Sequence, residues 1–494
     1  MMRIGTGVRV VAALTGVLLV TAGCAATDGN KAQALEWGSC PPPAASTTTA
    51  PVVVDPGQQC AKITVPVDYS HPGADTLALT VSRLRTSKPG ERLGDLIIGQ
   101  GGPGEPGLDL PSEGLTTLPA AVRDHFDLYG LDYRGMANSS PIQCGIDESD
   151  RQALVGVPYP APDGDISADI ARAHRIAEAC LQHGGTVLPH VTTANIARDI
   201  DRFRIALGDD KISYTGVSYG TYVGAVYVSL FPDHADRVLL NSVDPPGGVR
   251  DGIENKGLAV DQAFPWFARW AAERDGDYHL GSTADEVRSA TLAASRALNT
   301  TPLTVGDHTL TGNALLLGVQ SLLEQPQYFP LMAGLISGAA ARNLPAAALS
   351  GLPVARVFPD NFVSSQDAVL CGDTAWPTDP AQYAAAVTDN LRRYPLTGGS
   401  PADIWPCAFW SKPLEPPVAI SSTGPAKVLL VNNTGDPSTT YAGAQAMRNA
   451  LGSRSALITV EGVGHGVPIT GDCVGRTVEN YFLTDALPPD TRCG

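Results

Sequence analysis

Short apolar runs alternate with stretches of helical periodicity from residue 61 onward. The runs have the length of buried strands, and the helical stretch 195–207 ends at Gly208, a typical helix terminator. This alternation is characteristic of a parallel sheet covered by helices on both faces. We therefore expect an α/β fold with a mostly parallel sheet. The predicted strands are residues 77–84, 95–98, 126–131, 211–215, 238–243, 427–431 and 456–460.

The strand pattern is interrupted between residues 249 and 359, where Ala-rich and Leu-rich helical segments such as 262–273 follow one another. We interpret this region as a helical cap inserted into the sheet domain. Asp379 followed by Pro380 predicts the start of another helix, as an N-cap with proline at the first position. The predicted domains are residues 59–248 and 361–494 for the sheet domain and 249–360 for the cap.

The first 23 residues are basic, contain an apolar stretch and end in small residues before Cys24. This pattern indicates an export signal, and its end resembles a bacterial lipoprotein signal, in which the cysteine is lipidated. We expect a lipid anchor at Cys24 that holds the protein at the cell membrane, with simple secretion as the alternative. Residues 24–58 are rich in Ala, Thr, Pro and Gly, which predicts a tether.

Composition and charge indicate a large globular core and argue against one class of function. The chain has 494 residues, of which 43% are hydrophobic, enough for a large core. Its net charge of −16 argues against nucleic acid, because phosphate binding needs clustered positive charge.

Cys24 is one of nine cysteines, so a lipid anchor there leaves eight. Eight cysteines in an exported chain suggest disulfides. They allow 105 pairings, of which the pairing of sequence neighbours is the simplest. The eight are Cys40, Cys60, Cys144, Cys180, Cys371, Cys407, Cys473 and Cys493.

Residues 216–220 read Gly-Val-Ser-Tyr-Gly, which fits the Gly-x-Ser-x-Gly nucleophile elbow. An apolar strand precedes the motif and an apolar helix follows it, as the elbow requires. An ordinary glycine-rich turn is the alternative. Ser218 is therefore our candidate nucleophile.

A serine nucleophile needs a histidine base and a carboxylate that orients it. Asp436 and His465 each follow a predicted C-terminal strand, each within a glycine-containing turn. Open α/β sheets build their sites at such strand ends, and the order Ser, acid, His is that of α/β hydrolases. We predict a triad of Ser218, His465 and Asp436.

An oxyanion hole needs two backbone N–H donors. We expect one from Tyr219, the residue after the nucleophile, and the other from the glycine-rich loop after the strand 95–98. Pro103 cannot donate, so Gly102 is preferred and Gly101 is the alternative.

The same loop also fits the dinucleotide fingerprint Gly-x-Gly-x-x-Gly. Two prolines remove N–H groups there, and Glu105 places a negative charge where phosphate would lie. No P-loop and no His-Glu-x-x-His motif occurs in the sequence. We expect neither cofactor nor metal.

Several ordered motifs across residues 37–493 resemble the tripeptidyl aminopeptidase family of actinobacteria, exported α/β hydrolases related to proline iminopeptidases. They are Trp37 with Cys40, Cys60, Val65 to Tyr69, Gly101 to Gly104, Phe126-Asp127, Asp132 to Gly135, Gly216 to Gly220, Asp244-Pro245, Cys371 with Asp373, Gly435 to Pro437 and Gly464 to Gly466.

The resemblance implies an α/β-hydrolase fold, a helical cap and release of short peptides from a free amino terminus. It also supports the triad and the neighbour disulfides. The family loop usually begins Asn-Pro, whereas Gly99-Gln100 stands here, and Glu105-Pro106 replaces smaller residues. These departures concern substrate preference more than the reaction.

We expect a serine aminopeptidase that releases di- or tripeptides and binds peptide substrates. Binding of the substrate ammonium needs carboxylates, for which Glu105, Asp244, Glu254 and Asp373 are candidates. A carboxylesterase or lipase with the same triad and a non-catalytic surface lipoprotein are the alternative functions.

Overall fold

A sheet of nine strands runs through the part of the chain that the structure describes. The structure is a computed structural model and describes Met1 and residues 33–45, 52–151, 158–349, 352 and 357–494. The predicted signal peptide and Cys24 lie outside the described residues. The sheet strands are β1 (Gln59–Pro66), β2 (Thr76–Leu84), β3 (Gly94–Gly99), β4 (Phe126–Leu131), β5 (Ile212–Ser218), β6 (Ala235–Val243), β9 (Lys427–Gly435), β10 (Ser455–Val463) and β11 (Thr491–Cys493).

The strand order β1-β2-β4-β3-β5-β6-β9-β10-β11 places β5 near the centre of the sheet. Strands β1, β2 and β4 pair antiparallel, and all pairs from β4 to β11 are parallel. This confirms the predicted mostly parallel sheet. Because parallel strands end at one edge, the residues that follow β3, β5, β6, β9 and β10 meet there.

Helices cover the sheet on both faces and form the layer above its carboxyl edge. They are α1 (Leu110–Thr117), α2 (Ala120–His125), α3 (Glu148–Arg151), α4 (Ser167–His183), α5 (Thr193–Leu207), α6 (Tyr219–Leu230), α7 (Val249–Ala272), α8 (Asp275–Tyr278), α9 (Ala284–Thr300), α10 (Gly312–Leu323), α11 (Phe329–Ala340), α12 (Asp360–Asp373), α13 (Pro380–Arg393), α14 (Tyr441–Leu451) and α15 (Val474–Thr484). Among the described helices, none is long and apolar enough to cross a membrane.

Helix α5 shows how local sequence sets these boundaries. The Thr192 side chain accepts a hydrogen bond from the Asn195 N–H at its start, and Gly208 ends it with a φ of 83°. Only glycine adopts a positive φ without steric strain, which explains why the helix ends at Gly208. Asp379 caps α13 in the same way, with Pro380 at the first position as predicted.

Helices α7 to α11, which we call the cap, have a hydrophobic core of their own. Phe264, Phe267, Leu315 and Ile336 lie in it, each with at most 1% of its surface exposed. The sheet contributes to two other clusters, and the buried side chains of the larger one include Val81, Phe203 and Tyr214. The cap therefore folds around its own apolar face over the sheet edge.

One expectation about the insertion was wrong, and its boundaries stay a prediction. Strands do occur within it, because β7 (Leu303–Val305) and β8 (His308–Leu310) form an antiparallel hairpin. A boundary at residue 360 coincides with the start of α12, and the sheet resumes only at Lys427. Leu370 of α12 packs in one apolar cluster with Trp405 and with Ile253 of α7. The helical layer above the sheet therefore continues beyond residue 360.

The expected tether also needs correction. Within residues 33–45, Leu35 and Trp37 pack against the sheet core. The Cζ atom of the Arg83 guanidinium lies 4.1 Å from the centre of the Trp37 ring. Gly38 forms an isolated antiparallel bridge with Cys60. Apolar side chains and a disulfide fix this segment, so a free tether cannot extend to residue 58.

Disulfides join the described cysteines as sequence neighbours. The pairs are Cys40–Cys60, Cys144–Cys180, Cys371–Cys407 and Cys473–Cys493. This is the simplest of the pairings that the sequence left open.

Candidate active site

Ser218 ends β5 on a sharp turn into α6. Its φ of 57° and ψ of −129° are strained for a residue with a side chain. A Cβ at Gly216 would lie 2.5 Å from the Gly220 carbonyl oxygen, and one at Gly220 would lie 2.9 Å from the carbonyl oxygens of Gly99 and Gln100. Both motif glycines are therefore required by close backbone approach, as a nucleophile elbow needs.

His465 and Asp436 lie together at the same edge of the sheet. The His465 Nδ1 atom is 3.0 and 3.2 Å from the two carboxylate oxygens of Asp436. Asp436 is 2% exposed and also accepts hydrogen bonds from the N–H groups of Ser438 and Thr439 and from the Thr439 hydroxyl, at 2.8 to 3.0 Å. A carboxylate that holds Nδ1–H leaves Nε2 free to accept a proton.

The pKa values of this pair move in opposite directions. Burial raises the pKa of Asp436, but the His465 ring and the hydrogen bonds outweigh burial and leave the pKa below its usual range. For His465 burial lowers the pKa, and the charge and hydrogen bond of Asp436, together with Glu324, outweigh it and raise the pKa. The acid stays ionised, and the base has more affinity for a proton than an ordinary histidine.

Ser218 and His465 line one cavity of about 410 Å³, and Gly102 of the glycine-rich loop lines it with them. Tyr219 is the first residue of α6, where an N–H has no acceptor within the helix. A Cβ on Gly101 would lie 3.8 Å from the Ser218 Cβ, so Gly101 also lies beside the nucleophile. Tyr219 directly follows Ser218 and Gly102 lines the same cavity, so the oxyanion hole stays a prediction with Gly101 as the alternative donor.

Three charged side chains line the same cavity. Lys256 of α7 lies 3.3 Å from the carboxylate of Glu324, which follows α10. Asp244, which follows β6, is 6% exposed, and none of the described residues donates a hydrogen bond to its carboxylate. Sequence analysis missed Lys256 and Glu324, because no motif marks these positions on the cap.

Of the four predicted ammonium-binding carboxylates, Asp244 lines the cavity. Glu254 is half exposed and pairs with Arg250 at 2.8 Å. Asp373 accepts hydrogen bonds from the Thr193 N–H and hydroxyl. These two, and Glu105, are not among the residues that line the cavity.

The sheet order, the elbow and the strand-end positions of acid and base define an α/β hydrolase. Residues 394–493 match a family described as TAP-like protein. A tripeptidyl aminopeptidase of Streptomyces lividans is 34% identical over an alignment of 450 positions, and the match covers 86% of this chain and 81% of that protein. The chain belongs to the tripeptidyl aminopeptidase family and is a serine peptidase.

Two mycobacterial proteins are similar over almost their whole length. Serine protease Hip1 of Mycobacterium tuberculosis is 30% identical over 512 residues, covering 97% of this chain and 96% of that protein. Carboxylesterase B of the same organism is 31% identical over 484 residues, with 92% and 89% covered.

Proposed function

We propose that this serine peptidase is an exported aminopeptidase that releases di- or tripeptides from free amino termini. Ser218 attacks the scissile carbonyl, and His465 takes its proton through Nε2 while Asp436 holds Nδ1–H. The N–H groups of Tyr219 and Gly102 stabilise the oxyanion. His465 then protonates the leaving amine, and water releases the peptide from the acyl-enzyme.

The unpaired carboxylate of Asp244 carries the aminopeptidase assignment. Lys256 and Glu324 face each other in the cavity wall, so their charges largely cancel. Among the described residues, none forms an ion pair with the Asp244 carboxylate, and Lys256 and His465 act on it only through their charge. A buried carboxylate is stabilised by a cation that enters the cavity, and the amino terminus of a peptide supplies one.

Turnover of matched substrates tests this assignment. We expect the enzyme to hydrolyse a tripeptidyl p-nitroanilide with a free amino terminus much faster than its N-acetylated form. A short p-nitrophenyl ester serves as the control for an intact triad. Equal turnover of the free and acetylated peptides would contradict an aminopeptidase.

A carboxylesterase is the second candidate, because the relative named carboxylesterase B covers most of this chain. The same triad serves ester substrates. An enzyme that cleaves the ester and neither peptide would support this candidate. A non-catalytic surface protein would fail to react with a fluorophosphonate at Ser218.

We also propose export and lipid attachment at Cys24. The four disulfides support an oxidising compartment outside the cytosol. Expression of the full chain in an actinobacterial host tests both steps. Cys24→Ser should move the protein from the membrane fraction to the medium or the soluble envelope fraction, whereas an unchanged distribution would contradict the anchor.

A further inference from the structure

A chain of polar contacts links the cap to the loop that carries Asp436. The Lys256 ammonium donates to the Ser438 hydroxyl at 2.6 Å and lies 3.3 Å from the Glu324 carboxylate. The Ser438 hydroxyl in turn donates to Glu324. Because the N–H of Ser438 donates to Asp436 at 2.8 Å, the cap pair is one residue away from the orienting carboxylate.

The cap also holds the backbone of His465 on both sides. The N–H of His465 donates to the Glu324 carbonyl oxygen at 2.8 Å. The side-chain amide of Gln325 donates to the His465 carbonyl oxygen at 3.3 Å. The residues that follow α10 therefore hold the turn that carries the base. Glu324 contributes twice, because its carbonyl oxygen binds the His465 N–H and its carboxylate binds Ser438.

Charges from four elements face His465. Asp436 follows β9, Asp244 follows β6, Glu324 follows α10 and Lys256 belongs to α7. Glu324 raises the pKa of His465 and Lys256 lowers it. Burial raises the pKa of Glu324, but Lys256, His465 and Ser438 outweigh burial and lower the pKa, so Glu324 is an anion at neutral pH.

We propose that Lys256 and Glu324, linked through Ser438, are positioning residues that hold His465 and Asp436 in their reactive arrangement from the cap. The proposal rests on the proposed triad. It makes the cap part of the catalytic apparatus as well as a cover, and a cap that moved away at α10 would release the base. The rival interpretation is an ion pair that only stabilises the fold.

The pH dependence of kcat/KM separates these interpretations, because its acid limb reports the free enzyme's base. The substrate is a short p-nitrophenyl ester, so the result does not depend on peptide specificity. Removing a negative charge should lower the pKa of His465, so Glu324→Gln should move the acid limb to lower pH. Removing a positive charge should raise it, so Lys256→Met should move the limb to higher pH.

Two further variants serve as controls. Lys256→Arg keeps the charge and should keep the limb near its wild-type position. Glu254→Gln removes an exposed carboxylate two positions from Lys256, outside the cavity, and should leave the profile unchanged. Limbs that stay in place in both Glu324→Gln and Lys256→Met, or that move in the same direction, would overturn the proposal.

Ser438→Ala tests the link while both charges remain. Loss of the two hydrogen bonds that pass through the Ser438 hydroxyl should lower kcat about fivefold with KM unchanged. An unchanged kcat would overturn the role of Ser438 as the link. If Ser218→Ala were fully active, the proposed triad itself would be wrong, and that result is distinct from a fixed acid limb in an enzyme that depends on Ser218.

Discussion

The sheet edge and the cap both line the cavity, but they place their residues in different ways. Ser218, Asp436 and His465 follow strands whose order and register are fixed by backbone hydrogen bonds. Lys256 and Glu324 are placed by the packing of α7 and α10 around a separate apolar core. One set is positioned by topology and the other by side-chain packing.

This difference suggests two roles: the sheet edge carries the reactive groups, and the cap adjusts their environment. In the proposed mechanism the sheet edge supplies the groups that form and break bonds, with Ser218 on a strained turn. The cap supplies charges around those groups and closes the cavity. Changes at Ser218, Asp436 or His465 should therefore affect kcat for every substrate, whereas changes at Asp244 or on the cap should affect selectivity or tuning.

Ser218→Ala tests the sheet edge with the largest expected effect. Without the nucleophile, kcat should fall by ~10⁴ to 10⁶ for peptide and ester substrates alike. Turnover with both substrates measures the loss. A residual activity that remained high for one substrate class would mean that another group is the nucleophile for that class.

Asp436→Asn should be the next most severe change. The amide cannot hold Nδ1–H as the carboxylate does, so the wrong tautomer of His465 is favoured and kcat should fall by ~10⁴. Asp373→Asn offers a control, because Asp373 is also a hydrogen-bonded carboxylate, partly buried, but does not line the cavity. Equal losses in kcat from the two variants would contradict the role of Asp436.

The parts of the sequence that carry backbone patterns were predictable. The short apolar runs predicted the strands. Gly-x-Ser-x-Gly predicted the turn at Ser218, because the backbone approaches both glycines too closely for a side chain. Asp436 and His465 followed from their positions after late strands, and the structure places their side chains 3.0 Å apart.

The cap residues were not predictable for a physical reason. Lys256 and Glu324 are 68 positions apart and meet only because α7 and α10 pack in one orientation. A charged residue on a helix is most often solvated. No sequence spacing distinguishes Lys256 and Glu324 from the other charged residues nearby. The packed segment 33–45 was missed for a similar reason, since its Trp37 lies within a Pro- and Ala-rich stretch that is typical of tethers.

Two disulfides allow a comparison between a position beside the cavity and one at the outermost strand of the sheet. Cys371–Cys407 closes 36 residues beside cavity-lining Leu370 and Trp405, and Cys473–Cys493 closes 20 residues at the edge strand β11. Replacing either pair by serine should lower the free energy of unfolding by about 3 to 4 kcal/mol. Only loss of Cys371–Cys407 should also raise KM for peptides.

Denaturant unfolding and steady-state kinetics on the two double variants check this. Similar losses of stability with a KM effect confined to the cavity-side pair would sharpen the distinction between the regions. Equal KM values in both variants would show that the disulfide near the cavity only stabilises the fold.

Asp244→Asn should change selectivity with little effect on the chemical step. Loss of a charged partner for the substrate ammonium should raise KM for a free tripeptide about 10- to 100-fold. The N-acetylated peptide has no ammonium, so its KM should stay within about twofold. Glu254→Gln is again the control, because that carboxylate pairs with Arg250 away from the cavity. A parallel rise for both substrates would contradict ammonium binding by Asp244.

The pH dependence of KM gives the smallest effect and the most specific one. Burial raises the pKa of Asp244 to about 7, with His465 and Lys256 opposing the rise and Asp436 adding to it. The carboxylate therefore loses its charge as pH falls through about 7, while a peptide α-amino group loses its charge above about 8. KM for a free tripeptide should be lowest between these values and rise on both sides. For the acetylated peptide, or in Asp244→Asn, the rise on the acid side should vanish, because neither pair contains both charges. A persistent acid-side rise in Asp244→Asn would assign the titration to another cavity group and remove the sheet edge from substrate selection.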